Sequence, residues 1–219
     1  WVIIILYAAF YASNSLVNHY MFRTYAWDLG IRNNTLWDYM HFRWNDCMLM
    51  QPQYTNILSD HFQLLTVFLS PLGWVFGSYT LLIIQIASIL FGGVGIYRLI
   101  LYKSNSRFLA HAAIIHFYSM WGIFSALSFD FHDNVVGAMF VPWFIYYIEK
   151  NRWGKAVLFF SLLLISKENM ALWAAFIAFG LAIVFIREQK KVLRLLIFSG
   201  VAFIYFIVIV KGVMPWLAD

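Results

Sequence analysis

Between Thr80 and Leu101 the chain runs for 22 residues with a single charged side chain, Arg98, near the far end. About 20 apolar residues make a helix that crosses the roughly 30 Å hydrocarbon core of a bilayer at 1.5 Å per residue. Within that core every backbone N–H and C=O has to find a partner inside the protein, which a helix supplies by itself. The pattern recurs. Apolar stretches occupy residues 1–19, 109–128, 135–148, 156–165, 170–186 and 192–210, with charged turns between them. The chain is 63% hydrophobic and 11% charged, whereas a soluble domain carries about 25% charged residues. The surplus of large apolar side chains belongs in lipid. The expected fold is an all-α polytopic membrane protein, with residues 1–219 forming a single transmembrane domain. Aromatic residues at 21% fit belts at the two interfaces. The lone cysteine, Cys47, can close no internal disulfide and no cysteine-based metal site. Both ends read as cut, since Trp1 and Asp219 adjoin hydrophobic runs, so the expectation is the N-terminal part of a longer protein.

The net charge of +5 is a matter of sidedness and carries no nucleic-acid signal. The loops at about 102–108, 149–155 and 187–191, with their flanks, hold ten basic residues and two acids, a net of +8. Everything else holds five basic residues and eight acids, a net of −3. Basic loops stay in the cytoplasm. The protein is thus expected in the cell (inner) membrane, multi-pass, with its acidic loops on the periplasmic or extracellular side. The first outer loop, at about 20–61, is the one long polar interval; its aromatics Trp27, Trp37, Tyr39, Phe42 and Trp44 suit short interfacial helices. Residues 62–76 are too short to span and are broken by Pro71-Leu72-Gly73, so an interfacial or re-entrant segment is expected there. The Gly92-Gly93-Val94-Gly95 run allows close helix packing.

The alternation of spans returns four polar motifs to the outer face. Asp28 follows Trp27 and precedes Leu29-Gly30; a carboxylate there serves as a general base or a cation ligand, or it caps a helix. Asp60-His61 and Asp130-Phe131-His132-Asp133 each pair carboxylate with imidazole, for a divalent metal, for a phosphate held by protonated histidine, or for a hydrogen-bonded cluster that orders loop ends. Lys167-Glu168 either form a salt bridge with each other or meet a substrate phosphate. Because the apolar run before them is only ten residues long, they are expected below the outer surface in a polar cavity. Ionisable groups at such depth point to function. His111 and His116 read as structural, His19 as interfacial, and His41 as interfacial or lining the cavity.

The ordered set Trp27-Asp28-Leu29-Gly30-Ile31, Ser59-Asp60-His61-Phe62, Phe129-Asp130-Phe131-His132 and Lys167-Glu168 resembles the prokaryotic predicted membrane proteins called domain of unknown function 2079, over nearly the whole chain. That family is in turn similar to the GT-C class of membrane glycosyltransferases. The resemblance implies a GT-C-like helical bundle with a large first outer loop carrying interfacial helices. It also implies a polyprenyl-phosphate-linked sugar as donor, within a partner set of membrane lipid and further protein subunits. By the same resemblance Asp28 is the catalytic base, while His61, His132, Lys167, Glu168 and Asp130 bind substrate. No cofactor is specified beyond the option of a divalent metal, for which Asp60, His61 and Asp133 are the candidates. The alternatives are a non-catalytic GT-C-like scaffold subunit of a membrane complex and a transporter of lipid or small solute.

Overall fold

The computed structural model describes residues 1–25, 27–45 and 56–218; Ala26, residues 46–55 and Asp219 lie outside the description, and with them fall Asp46 and Cys47. Among the described residues all regular structure is helical. Four helical stretches are long and apolar enough to cross a membrane: Val2–Tyr20, Leu64–Ser104, Arg107–Phe129 and Gln189–Ala218. Two shorter apolar helices, Trp153–Ser166 and Glu168–Val184, complete the bundle.

The central element is α6, Thr80–Ser104. It packs against α1 (Val2–Tyr20), α7 (Arg107–Tyr118), α8 (Trp121–Phe129), α9 (Asp133–Ala138) and α10 (Val141–Glu149). One helix can touch so many neighbours because its glycines let them in. A Cβ on Gly92 would fall on the Met139 side chain, one on Gly93 on the Tyr118 ring, and one on Gly95 on the Trp143 indole. The close packing expected of the Gly92–Gly95 run is what the structure has.

On the other side α11 (Trp153–Ser166) and α12 (Glu168–Val184) form a hairpin, and α13 (Gln189–Val208) lies along α12. The buried stripe of α12 is Ala171, Ala174, Ala175, Ala178 and Ala182, while Trp173, Phe176, Phe179 and Ile183 point outward. Small residues face protein and large apolar ones face the surroundings, the reverse of a water-soluble helix. In lipid this is stable, because the tails are as apolar as the side chains and association rests on close contact.

Several expected spans turn out to be segmented. The stretch expected at 109–128 breaks at Ser119–Met120, where Met120 takes an extended conformation (φ −62°, ψ 129°). The Tyr118 carbonyl released by the break accepts the Tyr11 hydroxyl at 2.7 Å, and the Tyr118 hydroxyl in turn donates to the Leu90 carbonyl at 2.6 Å. Residues 135–148 form two helices, α9 and α10, because Pro142 in the first turn of α10 has no N–H to continue the ladder. The run expected at 156–165 extends back to Trp153 and becomes the 14-residue α11, about 21 Å long. Residues 64–79 are short pieces, as the Pro71-Leu72-Gly73 interruption implied: α4 (Leu64–Leu69), a 3₁₀ turn at Ser70–Leu72, α5 (Gly73–Phe76) and a second 3₁₀ turn at Gly77–Tyr79. Gly77 has φ +55°, which favours glycine.

The two ends of the bundle differ in chemistry. At one end the basic turns meet: Lys103 pairs with Glu149 at 2.8 Å, and Arg194 lies 4.7 Å over the Trp153 ring. At the other, α2 (Asp28–Met40) lies against the short pieces between α3 (Ile57–Asp60) and α6, α3 packs on the C-terminal helix Met214–Ala218, and α2 and α3 carry polar motifs.

The glycine contacts make a testable pair. Gly93→Ala should lower stability in detergent by about 1–3 kcal/mol, since the Tyr118 ring is fully buried and hydrogen-bonded in place. Gly122→Ala, where a Cβ meets open space, should leave the thermal midpoint unchanged or slightly raised. Equal midpoints for the two variants would remove the close-approach argument.

Candidate functional site

Helix α2 is the plate on which the site is assembled. Its apolar face, Leu29 and Leu36, packs on Leu81, Leu82, Phe131 and Val136. Its polar residues are fastened at both ends. Asp38 accepts from Asn34 at 3.0 Å and Asn45 at 2.9 Å, and Asn45 accepts the Ile57 N–H at 3.3 Å, which ties α2 to α3. Near the start, Arg32 Nη1 stands 2.7 Å from Asp133 Oδ2, with both side chains largely buried. Thr66 donates to the other Asp133 oxygen at 3.1 Å. One carboxylate thus holds α2, α4 and α9 together.

The Asp130–His132 connection between α8 and α9 is held from the bundle side by one amide. Gln85, wholly buried on α6, donates Nε2 to the Asp130 carbonyl at 2.7 Å and accepts the His132 N–H through Oε1 at 2.6 Å. The Asp130 carboxylate points the other way and accepts the Tyr25 N–H at 3.0 Å, just ahead of α2. Burial pushes the Asp130 pKa up to about 6; the Tyr25 N–H opposes that shift and the nearby Asp28 charge adds to it. The His132 ring stacks on Phe129 at 5.2 Å, which stacks on Tyr25 at 4.9 Å. Burial, then the Arg32 charge, holds His132 below the ordinary imidazole value despite Asp28 and Asp133; Lys167 adds to the lowering. The shift favours the neutral imidazole over the charged form.

The last motif lies at the turn between α11 and α12. Lys167 is extended (φ −165°, ψ 153°), which ends one helix and starts the next. Glu168 accepts the Phe62 N–H at 2.9 Å and stands 3.5 Å from His61 Nδ1; Asp60 stands 3.5 Å from His61 Nε2. Gly137 lets Ser166 close against α9, bringing the turn beside the Asp133 pair.

The four motifs read from the sequence therefore converge, and their bland alternatives separate. The Lys167–Glu168 salt bridge does not form, because Glu168 is taken by Phe62 and His61. Asp28 caps nothing: α2 begins with Asp28 itself, and no side chain caps that end. Its carboxylate is exposed. Asp133 is committed to Arg32 and Thr66, away from Asp60 and His61, and among the described residues no three acidic, histidine or cysteine side chains are placed to hold a metal. His41 turns outward onto Trp74 and bonds the Trp37 carbonyl, and His19 ties Thr24 to Ser78, so neither lines the cluster. Sequence reasoning did not single out Gln85, Thr66 or the Arg32 pairing. A lone amide in an apolar span was the available signal for Gln85.

The family model for DUF2079, described as a predicted membrane protein, matches residues 18–219 of this chain. No curated protein and no solved structure matches it.

Two outcomes follow from the fastenings. Arg32→Met leaves the Asp133 charge buried without its cation and should cost about 3–5 kcal/mol, most of it recovered in the double variant Arg32→Met/Asp133→Leu. Thermal unfolding of the two proteins checks this; a double variant no better than the single one would argue against the ion pair. For Asp130, the folded state keeps a proton that the unfolded chain has already released, so its contribution to stability falls as pH rises from about 4 to about 6. The wild-type midpoint should fall across that window relative to Asp130→Asn, and parallel pH curves would contradict the raised pKa.

Proposed function

We propose that this chain, which belongs to the DUF2079 family of predicted membrane proteins, is a membrane glycosyltransferase of GT-C type. It moves a sugar from a polyprenyl-phosphate donor to an acceptor hydroxyl at the motif end of the bundle. One observation carries the reading. In the cluster, Asp130, Asp133 and Glu168 are each engaged by an N–H, a guanidinium or a hydroxyl, while among the described residues Asp28 and Lys167 make no side-chain hydrogen bond or ion pair. An exposed carboxylate and an unpaired ammonium, held beside a rigid polar network, are the groups that acid–base and leaving-group chemistry needs.

In the proposed reaction the Asp28 carboxylate takes the proton of the acceptor hydroxyl as its oxygen bonds to the sugar's anomeric carbon. The bond from that carbon to the phosphate oxygen breaks, and the departing polyprenyl phosphate leaves with the electron pair. Lys167 balances the added negative charge, and the neutral His132 donates an N–H to it. His61 and Glu168 orient the Lys167 turn, and Asp130 fixes the connection that carries His132. Attack from the face opposite the phosphate inverts the sugar. The short helices α11 and α9 support sideways entry of the lipid tail, since they leave the cluster below the level a full span would reach.

A second reading is a non-catalytic scaffold, favoured by how many of the polar residues serve to hold α2, α4, α9 and α12 together. The two separate on substitution. With the full-length protein in liposomes and a panel of polyprenyl-phosphate hexoses and pentoses, Asp28→Asn should cut transfer by about 10²–10⁴-fold while leaving bound polyprenyl phosphate in native mass spectra. Lys167→Met should lose both the transfer and the bound lipid phosphate. Unchanged transfer by Asp28→Asn would overturn the base assignment, and tolerance of both substitutions would favour the scaffold.

A further inference from the structure

At the basic end, away from the motif cluster, α6 and α10 enclose a basin of about 490 Å³ lined by Tyr97, Arg98, Tyr102, Asn105, Tyr146 and Lys150. A second, mainly apolar groove of about 270 Å³ shares the Tyr97–Arg98 wall and is lined further by Trp1, Ile3 and Ile4 at the start of the chain, Val94 of α6, and His111 and Ile114 of α7. A polar basin and an apolar groove therefore meet at one arginine.

The charges in this region are unequally matched. Lys103 is neutralised by Glu149 at 2.8 Å. Among the described residues Arg98 and Lys150 have no carboxylate partner. Arg98 lies 5.7 Å over the Trp143 ring, and Lys150 lies 5.1 Å over Tyr102 and 5.3 Å over Tyr146, whose hydroxyl it meets at 3.3 Å. Aromatic faces position a cation and attract it, but they carry no net charge to cancel it. The phenol hydroxyls and the Asn105 amide add neutral donors beside the two cations. The arrangement is complementary to an amphiphile with a negative head and a hydrocarbon tail, and basic pockets between membrane helices take anionic lipid headgroups in this way.

We propose that Arg98 and Lys150, with the tyrosine hydroxyls around them, hold the phosphate of one acidic phospholipid whose acyl chain lies in the groove formed by Ile3, Ile4, Val94 and Ile114. The site is independent of the transfer chemistry and sits at the opposite end of α6. It fastens α1, α6, α7 and α10 together through a bound lipid.

The test is native mass spectrometry of the full-length protein in detergent, titrated with phosphatidylglycerol and phosphatidylcholine of identical acyl chains. The first phosphatidylglycerol should bind about tenfold more tightly than phosphatidylcholine. Arg98→Gln/Lys150→Gln should lose that preference, while Lys190→Gln/Arg194→Gln, which removes the same charge elsewhere on the basic end, should keep it. Equal binding of the two lipids by the wild type would overturn the proposal without recourse to any variant. So would loss of the preference in the Lys190→Gln/Arg194→Gln protein, which would mark a diffuse field. Displacement of the lipid by millimolar inorganic phosphate would overturn it as well, by showing a site for a free anion.

Discussion

A carboxylate buried among helices that cross lipid has to be met by a positive partner, and here the meeting of Asp133 with Arg32 decides where the polar half of the protein can sit. Asp133 opens α9 from inside the bundle, whereas Arg32 belongs to the short helix α2. Joining them at 2.7 Å pulls α2 down onto the bundle end, and Thr66 on the same carboxylate sets the angle of the segments that lead into α6. Leu29 and Leu36 then bury against Leu81 and Leu82. Once α2 is placed, Tyr25 reaches Asp130 and Asp28 is carried to the rim of the cluster. The pair contributes through what its loss would leave behind, an uncompensated buried charge, more than through its own attraction.

Around that point the network divides its labour. Backbone-directed bonds from Gln85, Tyr25 and Phe62 fix three chain segments without using up any exposed charge. Asp130 and Glu168 serve as acceptors for main-chain donors, and the surroundings of His132 favour its uncharged form. What remains exposed or unpaired is Asp28 and Lys167, the two groups to which the proposed reaction gives its chemistry. Rigid fastenings behind a few free groups are how a site keeps its geometry while staying open to chemistry.

The class of fold and the members of the cluster were legible in the residues; the joints were not. The apolar runs state that helices cross lipid, and alternating them returned Asp28, His61, His132 and Lys167 to one end, where the structure also has them. The glycines at 92, 93 and 95 announced the close approach that α6 makes. The break at Met120 had no such announcement. No proline or glycine pair marks it, and it persists because Tyr11, over a hundred residues away, supplies the hydroxyl that the freed carbonyl needs. The commitments of the carboxylates were hidden for the same reason. Whether Glu168 pairs with Lys167 or with His61 depends on how α3 docks, and nothing in the local spacing encodes that.

The α11–α12 hairpin has one more consequence. At 14 and 17 residues, α11 and α12 reach only about 21 and 25 Å. The outward face of α12, with Trp173, Phe176 and Phe179, is apolar and calls for a hydrocarbon layer of matching depth. Surrounding lipids on that flank have to compress, at a cost of a fraction of a kcal/mol per Å of mismatch. In a bilayer about 30 Å deep that thinning would fall on the flank where the Lys167 turn lies.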